Sequence, residues 1–195
     1  LIECVDRLRE QACEDVEWIL VDDGSDDLEH LDLLRKELEG TRYQLKILNE
    51  NGGIGQATNH GIRAAIGQYI AFLDQDDLLS CNAVSLVLEY LRGDPSIDIL
   101  YSDENKISDD GIFYDDFKKP KWSPERLRHQ NYISHLSVIR KSLIEEVGYL
   151  SETLDGAQDH DLLLKCSELA KVVTHVPAVL YHWRAVRTST AFDPA

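Results

Sequence analysis

Residues 69–77 read YIAFLDQDD: five apolar residues, Tyr69 to Leu73, run without a break into Asp74, Gln75, Asp76 and Asp77. A short apolar run that stops at polar turn residues is the pattern of a buried strand. The pattern recurs on both sides. VEWILV (16–21) runs into Asp22, Asp23, Gly24 and Ser25, and DILYS (98–102) runs into Asp103 and Glu104. Tyr43–Leu48, Leu136–Ile139, Val172–Val176 and Val179–Tyr181 read as further strands. Between them the apolar residues adopt helical spacing: Leu1, Cys4, Val5 and Leu8; then Leu28, Leu31, Leu34 and Leu38, in a helix ending near Gly40; and a third helix closing near Ala65. Asn82 is placed to cap a helix carrying Leu86, Val87, Tyr90 and Leu91 and stopping before Gly93. Short helices are expected over 141–147 and 161–169, and residues from about 103 to 135 read as polar and irregular.

Strands alternating with helices predict an α/β fold, a mostly parallel central sheet flanked by helices. In such sheets ligands bind beyond the carboxyl ends of the strands. The three acidic loops are therefore expected along one rim.

Composition limits the function. The chain has 195 residues, 36 acidic against 20 basic, for a net charge of −16. That length suits one domain, residues 1–195. The charge argues against a nucleic-acid partner, which needs clustered Lys and Arg. No apolar stretch approaches the about 20 residues of a membrane span, and no secretory signal is visible. The cysteines Cys4, Cys13, Cys81 and Cys166 form neither a Cys-x-x-Cys nor a zinc pattern, which predicts reduced thiols in a cytoplasmic protein.

Carboxylates gathered on one rim repel one another unless a cation sits among them. Hard oxygen donors suit Mg2+ or Mn2+, shared with substrate phosphates. In an extended loop, Asp74 and Asp76 point the same way and can reach one ion or its ligand. Asp22 and Asp23 have two open readings: this acidic rim, or a turn that caps the helix after Ser25. The loop NENGGIG (49–55) leads from a strand into a helix and can offer backbone N–H groups to an anion. It lacks the Gly-Lys-Ser/Thr of a P-loop and the third glycine of GxGxxG, so a structural turn stays equally open.

Taken in order, VDDGS (21–25), NxGGIGxAxNxGI (51–62), GxYIAFLDQDD (67–77), YSDENKI (101–107), GAQDHDLLLK (156–165) and VLYHWR (179–184) resemble the family 2 glycosyltransferases. These are inverting enzymes of the GT-A fold. FKKPKWSPERL (117–127) is similar to members that build bacterial cell-surface polysaccharides. The resemblance implies a nucleotide-diphosphate sugar donor of UDP or dTDP type, a saccharide or lipid-linked acceptor, and a Mn2+ or Mg2+ cofactor. It also implies a cytoplasmic location, at most peripheral on the inner face of the membrane. Asp22 and Asp23 would lie against the base, with Gly52 and Gly53 on the donor side and Asp74 by the ribose or sugar. Asp76 would bind the metal, and His182 would complete its site. Asp159 would be the catalytic base, with Gln158 standing where the family has Glu and Asp161 as the competing carboxylate. The nucleotide part would span about 1–103 and the acceptor part about 104–195. The family's first strand, ending in a Pro-x-Tyr/Phe-Asn turn, is not in the sequence, and the native protein is expected to contain it. The Gln-x-x-Arg-Trp motif of processive synthases is missing, which favours single-sugar transfer. From the residues alone, His182 also reads as a packed strand histidine. Lys118, Lys119 and Arg184 read as solvated charges or phosphate contacts, and Trp122 and Tyr132 as core or as a wall for an acceptor sugar. A nucleotidyltransferase of similar architecture would want a basic glycine-rich loop near the chain start; a binding module without turnover is the other alternative.

Overall fold

The computed structural model describes residues 2–11, 13–39, 43–154 and 156–184. The expected helix end at Gly40 and the helical position of Leu1 lie outside them. The chain forms two compact units: residues 14–70 with 140–169, and residues 1–13, 71–139 and 170–195.

In the unit of 14–70 and 140–169, β1 (Trp18–Asp22) and β2 (Tyr43–Ile47) pair in parallel, Trp18 opposite Tyr43 and Asp22 opposite Ile47. Helix α2 (Leu28–Leu38) connects them, burying Leu31, Leu34 and Leu38 at helical spacing. Helix α3 (Ile54–Ala64) follows β2 and packs on β1. A Cβ on Gly61 would lie 3.3 Å from Val21 Cγ2, so glycine permits that close approach. Asn59 of α3 is buried and uses its amide both ways, donating to the Leu150 carbonyl and accepting from the Leu150 N–H, each at 3.0 Å. This ties α3 to the turn between α6 (Lys141–Glu146) and α7 (Gln158–Leu169). Glu17 accepts from the Ile66 and Gly67 N–H groups at 2.7 and 2.8 Å, which fixes the exit from α3.

In the other unit, β5 (Ile99–Ile107) is central. It pairs in parallel with β8 (Val173–Arg184), and antiparallel with β7 (Ser137–Arg140) and β6 (Phe113–Phe117). The two-residue β4 (Leu78–Leu79) pairs antiparallel on the far side of β8. This sheet is parallel at its centre and antiparallel at its flanks, a mixed sheet rather than the mostly parallel one expected; β6 returns from β5 through residues 108–112, too short a connection for a parallel crossover. Ile99, Leu100, Tyr101, Leu180 and Tyr181 are fully buried at its core. Helix α1 (Ile2–Glu10) packs on β4 with Cys4, Val5 and Leu8 buried. Helix α4 (Ala83–Gly93) runs through Gly93; Asn82 precedes it without a side-chain cap.

The expected irregular stretch 103–135 is largely ordered structure. β5 continues through the polar Asp103–Lys106, because β6, β8 and Lys119 bring partners to those residues. Helix α5 (Pro124–His129) is capped by Ser123, whose Oγ accepts from the Arg126 N–H at 3.2 Å, with Pro124 in the first turn. The two expected late strands are one, β8. Its pairing with β5 slips between Val176 and Val179, and the bulge accommodates Pro177, which has no N–H to give to a ladder.

Burial pushes the Cys4 thiol up to about 11 and the Cys166 thiol to about 12, whereas Cys81 is exposed and Cys13 half-buried. The thiolate is the species that reacts. Iodoacetamide at pH 8 is therefore expected to label Cys13 and Cys81 in the native protein, and Cys4 and Cys166 only after denaturation. Peptide mass spectrometry checks this; native labelling of Cys166 at the rate of Cys81 would contradict it.

Candidate functional site

The acidic loop after β3 (Tyr69–Ala71) is held from below by β8. Asp77 is 1% exposed, and both its oxygens are used: Oδ2 accepts from the Tyr181 hydroxyl at 2.5 Å and Oδ1 from the Arg184 N–H at 2.7 Å. Tyr181 Oη in turn accepts from the Asp74 N–H at 3.3 Å. Arg184 Nε donates to the Asp76 carbonyl at 2.8 Å, and its Nη2 pairs with Glu3 at 2.7 Å. Two residues of β8 thus fix the backbone of 74–77, while the side chains of Asp74 and Asp76 are exposed. Burial raises the Asp77 carboxyl to about 6; the bonds from Arg184 and Tyr181 oppose the rise, and the charges of Asp74 and Asp76 add to it.

His182 lies in β8 opposite Leu78 of β4. Its Nδ1 is 2.6 Å from Asn105 Oδ1, and its ring packs on Phe113 with 4.3 Å between centroids. Burial, then the Arg7 guanidinium, hold it below the ordinary imidazole range, so it is neutral near pH 7.

A hard cation suits the oxygens of Asp74 and Asp76, presented on a pinned loop next to a third carboxylate. Among the described residues no three His, Cys, Asp or Glu side chains converge on one point. Two carboxylates are fewer oxygens than Mg2+ or Mn2+ takes, and these ions commonly complete their shell with substrate phosphates and water.

Asp103 and Glu104 do not belong to the acidic rim. They sit within β5, where Asp103 is buried and accepts from the Lys119 N–H at 2.9 Å and contacts His175 Nε2 at 2.7 Å. Glu104 pairs with Lys119 at 2.8 Å, and the Lys119 side chain is fully buried. Lys119 is thus an internal cation, neither solvated nor open to a phosphate. Arg184 is likewise spent on the loop and on Glu3. Tyr132 belongs to the core: it packs edge-to-face on Tyr101, and its hydroxyl accepts from the Ser123 N–H.

In the unit containing β1 and β2, the structure brings Asp22, Asp23, Gly52 and Gly53 together. Asp22 Oδ1 accepts from the Ser25 N–H at 2.9 Å, a turn. Asp23 reaches across to the NGG loop, its two oxygens accepting from the Gly52 and Gly53 N–H groups at 2.9 and 2.8 Å. The anion that this loop cradles here is the protein's own carboxylate. A Cβ on Gly24 would come within 2.6 Å of the Glu50 carbonyl carbon, and Gly24 has φ +72°, so that position demands glycine.

Asp159 is half-buried in the first turn of α7, which begins three residues earlier than expected. Its Oδ1 accepts from the His160 N–H at 2.7 Å. The competing Asp161 pairs with Lys165 at 2.9 Å along the helix.

The sequence does not single out Tyr181 or Asn105. Each acts on a residue distant in the chain, and no local spacing marks such a pair. The tripeptide HWR held the Arg184 signal, in that a lone basic residue ends an apolar strand.

The glycosyl transferase family 2 model matches residues 1–148. The O-antigen biosynthesis protein RfbC of Myxococcus xanthus is 35% identical over 98% of this chain, which spans 15% of that protein; the chain spans 21% and 18% of two other relatives. Among solved structures, S. aureus TarS 1–349 in complex with UDP matches 95% of this chain and 56% of its own, with a TM-score of 0.79 and 21% identity. The mannosyltransferase PcManGT from Pyrobaculum calidifontis, in complex with GDP-Man and Mn2+, matches 96% and 54%, with a TM-score of 0.70 and 19% identity. At these identities the likeness to the two structures is one of fold, an α/β fold of the GT-A type. With three quarters of its length under the family model, the chain belongs to glycosyl transferase family 2.

Proposed function

We propose that this chain is the catalytic domain of an inverting glycosyltransferase that moves one sugar from a nucleotide diphosphate to an acceptor hydroxyl. The observation that carries the reading is the loop 74–77, whose backbone is pinned by Tyr181 and Arg184 while Asp74 and Asp76 face outward. Exposed carboxylates clustered on a rigid loop repel one another, and a cationic or hydroxylated ligand relieves that repulsion. Asp76 and His182 are the residues to hold Mg2+ or Mn2+, which, when bound, neutralises charge on the departing diphosphate. Asp74 binds the ribose or sugar hydroxyls. Asp22 and Asp23, with Gly52 and Gly53, face the base. Asp159 accepts the proton of the acceptor hydroxyl as its oxygen attacks the anomeric carbon from the side opposite the leaving group. One displacement inverts the configuration. The donor is of UDP or dTDP type, and the acceptor is a saccharide or lipid-linked saccharide of a bacterial surface polysaccharide. The relation to an O-antigen biosynthesis protein supports that acceptor class. The site of action is the cytoplasm, at most at the inner face of the membrane.

A thermal-shift screen of UDP, dTDP, GDP and ADP, with and without Mn2+, tests the reading. A nucleotide at 100 times its Kd stabilises by about 2.7 kcal/mol. For a chain of this size that is a rise of about 5–10 °C in Tm. The rise is expected with UDP or dTDP and only with the metal. No metal-dependent shift with any nucleotide would refute the reading. Release of pyrophosphate in place of a nucleoside diphosphate would identify a nucleotidyltransferase.

A further inference from the structure

Three polar side chains form a line across adjacent strands. Asp116 of β6 accepts from Asn105 Nδ2 at 3.0 Å, and Asn105 Oδ1 of β5 lies 2.6 Å from His182 Nδ1 of β8. Asn105 and His182 are in register. On the other side the β5–β6 pairing slips between Glu104 and Lys106, so that Asp115 and Asp116 together oppose Asn105. Asp115 has φ +56°, which aspartate tolerates better than most residues.

The chemistry of this line admits one arrangement. An ionised carboxylate only accepts, so the amide nitrogen of Asn105 must face Asp116. The amide oxygen then faces His182. That oxygen carries no hydrogen, so the contact at 2.6 Å requires a proton on Nδ1. A neutral imidazole has one N–H, and Nε2 is therefore a bare electron pair. The Phe113 ring against His182 limits rotation of the imidazole.

We propose that Asp116 and Asn105 are positioning residues that hold His182 as its Nδ1–H tautomer, so that Nε2 is presented as an electron-pair donor to the cation of the donor diphosphate. The second half of this statement rests on the glycosyltransferase reading above. Fixing one ring nitrogen by a hydrogen bond is the usual way a protein orients a ligating histidine, and removing such a partner typically weakens metal affinity by about 10–100-fold.

The test has two arms on the full 195-residue chain. In the metal-free protein at pH 8, long-range 1H–15N correlation reads the imidazole tautomers, with His182→Gln identifying the resonance. Wild type is expected to carry its proton on Nδ1. Asp116 is exposed, so Asp116→Asn is expected to fold; with the acceptor-only partner gone, the Asn105 amide can turn and the tautomer becomes mixed. Asn105→Ala is the second variant, expected to lose the preference for Nδ1–H. In the other arm, Mn2+ half-saturation in the presence of UDP is expected to rise about 10-fold in Asp116→Asn. A proton on Nε2 in wild type overturns the proposal. So does an unchanged tautomer in Asp116→Asn, or a mixed tautomer with an unchanged Mn2+ midpoint. If wild type shows no Mn2+-dependent binding of UDP, dTDP, GDP or ADP, the glycosyltransferase reading fails, and with it the second half of the proposal; the tautomer arm then decides the Asp116–Asn105 assignment alone.

Discussion

Asp159→Asn is expected to lower kcat by about 10²–10⁴-fold, the range that a positioned general base supplies. Affinity for the nucleotide diphosphate should change by no more than about twofold, because the carboxylate acts on the acceptor hydroxyl and not on the nucleotide. The substitution keeps shape and an oxygen that can accept from the His160 N–H, but it removes the basic electron pair. A base must be ionised to act, and the N-terminal turn of α7 favours negative charge there. Asp161, two residues on, provides the control. It pairs with Lys165, and losing such a half-exposed i,i+4 helix pair costs about 0.3–0.5 kcal/mol. Asp161→Asn should therefore leave turnover within about threefold, since so small a stability change does not reach the chemistry. Single-turnover kinetics with nucleotide titration check both. If the two variants lost activity equally, or if Asp159→Asn lost nucleotide binding with turnover, Asp159 would not be the base.

What the sequence discloses and what it hides follow from the range of the forces. Apolar runs such as VEWILV and YIAFL, and the spacing Leu31, Leu34, Leu38, are local consequences of burial, so β1, β3 and α2 are legible in them. The DQDD loop is legible only in part: β3 is half-buried and ends at Ala71, two residues before the apolar run does. The polar half of β5 is not, because Asp103, Glu104 and Asn105 look like a loop until Lys119, His175 and His182 are brought to them from 15 to 77 residues away. Pro177 has a comparable effect, dividing one strand into two apparent ones although a bulge absorbs it. Asp22 and Asp23 show how an ambiguous pair resolves. Asp22 makes the turn to Ser25 that one reading gave it, and Asp23 binds the Gly52 and Gly53 N–H groups, a partner that neither reading gave it. The family resemblance supplied the roles of Asp76, Asp159 and His182, which no local pattern dictates.

Adjacent aspartates in the acidic loop should behave as opposites. Asp76→Ala is expected to raise the Mn2+ concentration needed for half-maximal transfer at least about tenfold and to lower kcat by about 10²–10³-fold, since a lost metal contact forfeits several kcal/mol of charge stabilisation. It should leave the melting temperature of the ligand-free protein almost unmoved: the side chain is exposed, the Asp76 carbonyl keeps its bond from Arg184, and removing the charge relieves its repulsion of Asp77. Asp77→Ala acts on the fold instead. Burying a carboxylate is costly, and the Tyr181 and Arg184 donors offset that cost. Without the acceptor, a buried hydroxyl and a backbone N–H are both orphaned, at about 1–3 kcal/mol each. The expected fall in Tm is about 5–15 °C, with activity lost in step because the backbone of 74–77 loses its anchor. Asp77→Asn separates these contributions further: its amide can accept from only one of the two donors and turns an N–H toward the other, so it should lie between wild type and Asp77→Ala in stability. Differential scanning calorimetry beside Mn2+ titrations of transfer decides the matter. A wild-type Mn2+ midpoint in Asp76→Ala would remove Asp76 from the metal site. A melting temperature in Asp77→Ala within about 1 °C of wild type, under 1 kcal/mol for a chain this size, would mean that β8 does not hold the loop.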